Sequence, residues 1–151
     1  MNLQKEIKAL KERIAELEEQ VKAEQEFPKD GDDYWFIDDE GWVDHAIYNN
    51  AYIGGSHKMI GNVFQNQEQA EFAFEKLKVE AELRKYSRPF KNGIYNHFIE
   101  FFPNSKKIDI NTEHAIEAQG VIYFESEEKA QQAIETVGEE RIKKYIFGVE
   151  D

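Results

Sequence analysis

The 151 residues include no cysteine. That one absence excludes disulfide staples, thiolate nucleophiles and cysteine-based zinc sites together, and a small chain built without disulfides suits a reducing compartment. Proline is scarce, and its three occurrences read as breaks. Pro28 in FPKDGDD marks a linker, Pro89 stops a helix, and Pro103 opens the turn PNSKK. No run of about 18 apolar residues occurs, and no basic flank leads into an apolar stretch at the N-terminus, so neither a membrane span nor a signal peptide is expected. These features predict a soluble, cytoplasmic protein.

Positive charge is also in short supply. Lys and Arg total 19 against 31 Asp and Glu, a net charge of -12. A chain this acidic repels phosphate backbones, and with no local basic face direct nucleic-acid binding is not expected. Signatures of chemistry are missing as well. His45, His57, His97 and His114 lack metal-ligand spacing. Gly54-Gly55 in IGGSHK lacks the GKS or GKT ending of a phosphate loop and reads as a turn. The sequence therefore predicts no catalytic residue, no metal site and no cofactor.

What the chain does have begins with LQKEIKALKERIAELEEQV. Apolar residues fall at Leu3, Ile7, Leu10, Ile14, Leu17 and Val21, alternating by four and three as a coiled-coil seam does. With Ile7, Ile14 and Val21 at a and Leu3, Leu10 and Leu17 at d, the packing favours two parallel strands. Across such a dimer Glu6 at g faces Lys11 at e, and Arg13 at g faces Glu18 at e, so both pairs attract. A helix packed on its own body shows a wider apolar stripe, whereas here e and g are all polar. The sequence predicts a parallel homodimer through a helix over 1–26, followed by a body over 27–151.

The body reads as α+β in two strand-then-helix halves, 34–88 and 94–149, with antiparallel strands. YWFIDDEGWVDHAIY carries two β-prone runs around a turn-rich DDEG, a hairpin signal. NNAYIGGSHK suits turns or a flexible loop, and IGNVF a short strand. Asn66 and Gln69 form a capping pair opening a helix over about 67–86, whose apolar positions Ala70, Phe72, Ala73, Phe74, Leu77, Val79, Ala81 and Leu83 cover more than one stripe and predict a well-buried element. In the second half NHFIEFF is a strand, and 108–110, 114–118 and 121–124 are further strands. Ser126 caps a helix to Val137, and Gly138 separates EERIKKYIF. An offset of 60 residues aligns VFQNQEQAEFAFE with YFESEEKAQQAIE, matching Phe64 with Phe124 and the caps Asn66 and Ser126. That is either an internal repeat or two uses of one strand-to-helix device.

Carboxylates gather at the first hairpin. Asp30, Asp32 and Asp33 flank its first strand, and Asp38, Asp39, Glu40 and Asp44 surround its turn, interleaved with Trp35 and Trp42. Acidic charge mixed with aromatic anchors suits protein docking. The same carboxylates also suit turns and strand entries. The one dense basic run is Arg84, Lys85, Arg88 and Lys91 at the end of the long helix, where cations complement the helix dipole.

The stretches YWFIDDEGWV, IGNVFQNQEQAEFAFEKLKVEAELRKY and GVIYFESEEKAQQAIETVGEERIKKYIFGVE are similar to a group of small phage and prophage accessory proteins of Firmicutes. In that group a Y-W-x-I-D strand, a G-N-x-F-x-T-x-E-E-A-E helix start and a G-x-I-Y-F-x-S-x-E-x-A ending recur. The resemblance spans most of 28–149 and departs at Asn66, where Thr or Ser is commoner; Asn serves the same capping purpose. It implies a setting in the host cell cytosol and a non-enzymatic protein that binds and disables a host protein, one with a nucleic-acid-binding surface such as a CRISPR nuclease. The same setting also admits a protein that sequesters a defence signalling nucleotide, or a virion or assembly component.

Overall fold

The computed structural model describes residues 2–150. Helix α1 spans Leu3–Gln25, capped at its start by the Asn2 side chain, which accepts from the backbone N–H of Gln4. None of its residues is buried against the body. It is joined to the body at Lys58, whose ammonium meets the Glu26 carboxylate at 2.6 Å and donates to the carbonyl of Pro28.

Two antiparallel hairpins follow, each ahead of a long helix, so the body is α+β. The first pairs β1 (Asp33–Ile37) with β2 (Val43–Ile47), Trp35 opposite His45. The second pairs β3 (Asn96–Phe102) with β4 (Lys107–Glu113), Ile99 opposite Ile110. The expected strands before each helix shrink to one residue: Phe64 exchanges two backbone hydrogen bonds with Trp35, and Phe124 two with His97. The segments 114–118 and 121–123 are not strands. Instead the Glu113 carboxylate accepts from the N–H groups of His114, Ala115 and Ile116, closing a turn. Those backbone donors, Ala115 first, hold its carboxyl below the usual range.

Helix α2 occupies Ile53–Met59, a stretch expected to be a turn or loop. Its two glycines explain the misreading. A Cβ on Gly55 would stand 2.6 Å from the carbonyl oxygen of Asn50, and one on Gly54 would stand 3.0 Å from the Tyr48 ring. Glycine is present for close approach, a requirement invisible to local propensity. The helix is held by His57, which lies on the Phe36 ring at 4.3 Å and takes a 2.8 Å hydrogen bond with the Tyr34 hydroxyl.

Burial lowers the His57 imidazole and raises the Tyr34 phenol. With a folded value below the ordinary one of about 6.5, His57 contributes stability that is present above that ordinary value and lost as pH falls through the folded value, because the unfolded chain binds the proton more readily. The urea midpoint of the wild type is expected to drop between pH 7.5 and 5.5 by more than that of His57→Gln. Equal drops in both would remove His57 as the source.

Helix α3 spans Gln67–Arg84, two residues shorter than expected, with Asn66 Oδ1 accepting from Gln69 N–H at 2.9 Å. Helix α4 spans Glu127–Val137 with Ser126 Oγ in the same role at 3.1 Å. Gly138, at φ +102, ends it in a conformation that favours glycine, and α5 (Glu139–Tyr145) turns back onto α3. The main core gathers Val79 and Leu83 of α3, Phe124, the inner face of α4 and Ile142 of α5. The long helix is less buried than its composition suggested. Only Ala70, Val79 and Leu83 are enclosed, while Phe72 and Leu77 reach solvent. It packs against the first hairpin and against α4 and α5, and a groove stays open where the hairpin and α5 flank it. Among the described residues, no helix is long and apolar enough to cross a membrane.

Candidate functional site: an exposed seam and an acidic, aromatic groove

Among the surfaces of the described residues that lack an intramolecular partner, two bear on binding first. The first is the seam of α1. Leu3, Ile7, Leu10, Ile14, Leu17 and Val21 are 42–71% exposed, an apolar row of the kind that marks an interaction surface. Of the charges flanking it, Arg13 reaches Glu16 at 3.2 Å within its own helix, both side chains being mostly exposed. An i, i+3 pair of this kind is worth a few tenths of a kcal/mol, so it leaves Arg13 able to turn toward a Glu18 across a seam.

The second surface is a groove of about 670 Å³ where the first hairpin, α3 and α5 meet. Trp42 stands at one rim, 69% exposed. Phe72 and Tyr145 form the floor, with ring centres 5.0 Å apart. Glu68, Glu71 and Glu75 rise from α3 along the wall, and Lys144 enters from α5 but lies 5.4 Å over the Tyr145 ring. Glu75 is engaged by Lys78 at 2.5 Å. Glu68 and Glu71 keep the groove negative where Trp42 and Phe72 offer apolar contact. A partner that inserts a Lys or Arg stem meets both features: methylenes against rings and a cationic head against carboxylates.

The carboxylates expected to form a docking face divide into two sets. Several build the hairpin itself. Asp38 Oδ1 accepts from the N–H groups of Glu40 and Trp42 across the turn. Asp32 accepts from Lys29, Asp30 from Asn50, and Asp44 from the N–H of His45. These are the turn-building uses typical of Asp. Asp33, Asp39 and Glu40 remain exposed. Trp35 is half-buried against His45 at 4.7 Å and is committed to the hairpin. Of the expected residues, Trp42 alone lines the groove.

Sequence reasoning missed Glu68, Glu71, Phe72 and Glu75, having placed Phe72 in the core. The available signal was local. Phe72 has Glu68 four residues before and Glu75 three after, so the three share one helical face.

The basic run is dispersed. Arg88 turns inward, donating to Asn96 Oδ1 at 2.7 Å and to the carbonyls of Pro89 and Tyr95, while Arg84, Lys85 and Lys91 stay exposed. Among the described residues, no group of three or more His, Asp or Glu side chains is placed to hold a metal ion. No protein-family model, curated protein or solved structure matches the chain.

Proposed function

We propose that this chain is a phage-encoded, non-enzymatic binding protein. Two copies join through α1, and each body presents its acidic, aromatic groove to a basic surface of a host protein, a nucleic-acid-binding defence protein such as a CRISPR nuclease being the class that suits the charge. The observation that carries the reading is the complete a/d seam left in solvent by a helix with no buried residue. Such a helix has no role in the fold of its own body, and a second copy offers it a matching seam.

The groove supplies the rest. Its negative wall favours encounter with a basic surface and disfavours direct contact with phosphates. Trp42 and Phe72 provide the aromatic contacts that dominate binding energy in most interfaces. Joining two such bodies raises effective concentration on any target with two equivalent sites.

Immobilised protein incubated with lysate of a Firmicute host is expected to retain a protein partner at low salt and release it at high salt. The Trp42→Ala, Phe72→Ala double variant is expected to lose at least about 2 kcal/mol of affinity, roughly thirtyfold. Retention indifferent to both salt and the substitutions would remove the groove from the interface.

A further inference from the structure

A second groove runs along a different side of α3. Ala73, Lys76, Leu77 and Glu80 repeat at i, i+3, i+4 and i+7 and line a depression of about 520 Å³, whose far wall is Ile37, Phe64 and the loop 60–62. Glu80, with Leu83 and Arg84, also lines an adjoining depression of about 220 Å³, whose far wall is Ile99, Phe124 and the loop 119–122. The two walls correspond. Phe64 and Phe124, and the loops before them, lie 60 residues apart, and Ile37 and Ile99 each follow by two the residue that bridges to that Phe.

What differs between the halves is the filling. In the second half the chain supplies its own plug. Ile142 of α5 is fully buried, Phe147 stacks on Phe101 at 5.5 Å, Ile146 packs on the core, and Arg141 meets Glu82 of α3 at 2.7 Å. In the first half the residues at the same offset, 79–87, run to the end of α3 and just past it, and do not turn back over the wall. The depression there stays open, with Leu77 52% and Ile60 74% exposed. An engineered cavity of about 150 Å³ accepts a benzene ring, so this depression has room for several apolar side chains.

We infer that the open depression beside Leu77 receives a short amphipathic helix of a partner protein, with apolar residues spaced like Ile142, Ile146 and Phe147 and a basic residue opposite Glu80. The internal counterpart shows which shape fits the wall, a short helix presenting Ile142, with Ile146 at its cap and Phe147 just past its end. Lys76 and Glu80 both line the depression; the exposed Lys76 has a long stem that can turn its charge to solvent, so the charge fixed against the groove is that of Glu80. Its side chain is only 23% exposed, and its ion-pair partner Arg84 stands 3.5 Å away, the long limit of a hydrogen bond. A cation set over it in a water-poor groove makes a shorter, charge-assisted contact. This surface is separate from the Trp42 groove, so its test does not depend on that reading.

A fluorescein-labelled synthetic peptide of the chain's own residues 139–150, EERIKKYIFGVE, serves as the probe in anisotropy titrations against the full chain. Saturable binding is expected, weakened by about tenfold or more in Leu77→Asp and in Ile60→Asp, as for loss of an interface anchor. Glu80→Gln should weaken it less and flatten its salt dependence. Trp42→Ala should leave it unchanged. Leu77 and Ile60 are exposed, so each variant should fold, which circular dichroism checks. Amide shifts on adding peptide should centre on 37, 60–64, 73 and 77. Absence of saturable binding, binding indifferent to Leu77→Asp, or shifts confined to 99, 124 and 142, as expected when the peptide merely displaces α5, would overturn the inference.

Discussion

Ile14→Lys is expected to give a monomer of 17.7 kDa by light scattering where the wild type, by the dimer proposed above, gives twice that mass, with loss of helical circular dichroism from α1. In a parallel coil residue 14 of one chain faces residue 14 of the other, so the substitution removes two buried Ile side chains and sets two ammonium groups in the central layer. Burial of each Ile contributes about 1.5–3 kcal/mol, so the dimer loses on the order of 3–6 kcal/mol before repulsion is counted, roughly two to four decades in Kd. A long coil tolerates one polar a position, but about three heptads are marginal by themselves. The body should be unaffected, because α1 contributes no buried residue to it. An unchanged mass would sink the dimer.

Asn96→Ala is expected to lower the stability of the body by about 3–5 kcal/mol, since five part-buried hydrogen bonds to its side chain are lost at roughly 0.5–1.5 kcal/mol each. Asn96 is fully buried at the start of β3. Its Oδ1 accepts from Arg88 at 2.7 Å and from Lys91 N–H at 2.9 Å, and its Nδ2 donates to the carbonyls of Lys91, Ile94 and Glu113. One amide thus ties the loop after α3 to both strands of the second hairpin. Asn96→Asp keeps the acceptors and removes the donors, leaving three carbonyls short, and should also destabilise. Domains of this size hold about 5–15 kcal/mol in total, so either loss is a large fraction. Chemical denaturation measures it, and a change below about 0.5 kcal/mol, the range of ordinary surface substitutions, would refute the hub.

The elements read most accurately from sequence are those with local causes. Asn66 and Ser126 cap helices because a side-chain oxygen three residues before a backbone donor meets it with no outside help. Gly138 ends α4, and NHFIEFF is β3 to the residue. Misreadings cluster where the cause is distant. IGGSHKM has weak helix propensity because Gly54 and Gly55 are required where Tyr48, Asn49 and Asn50 leave no space for a Cβ, and α2 is held by the distant contacts of His57 with Tyr34 and Phe36. The strands expected before α3 and α4 reduce to one bridge each, since Phe64 and Phe124 serve chiefly to anchor a helix start against the first strand of each hairpin.

The docking surface shows the same division. Acidic residues near aromatic ones were legible, but which carboxylates remain free was not, because Asp38, Asp32 and Asp30 are consumed by backbone donors only once the turns form. Phe72 read as core because apolar residues on several faces of a helix ordinarily mean full burial. The first hairpin and α5 instead flank α3 and leave a groove open between them.

By itself the sequence determined the heptad seam of α1, its parallel charge pattern, the capped starts of α3 and α4 and the α+β class, because each depends on residues within a turn or two of one another. Only the tertiary structure decided that the seam finds no partner in its own chain, that Trp42 and Phe72 share a groove with Glu68 and Glu71, and that α5 plugs one side of α3 while the matching depression stays open. Those outcomes depend on which surfaces meet across tens of residues, and a packing choice at that distance is settled by shape and burial that no local pattern records.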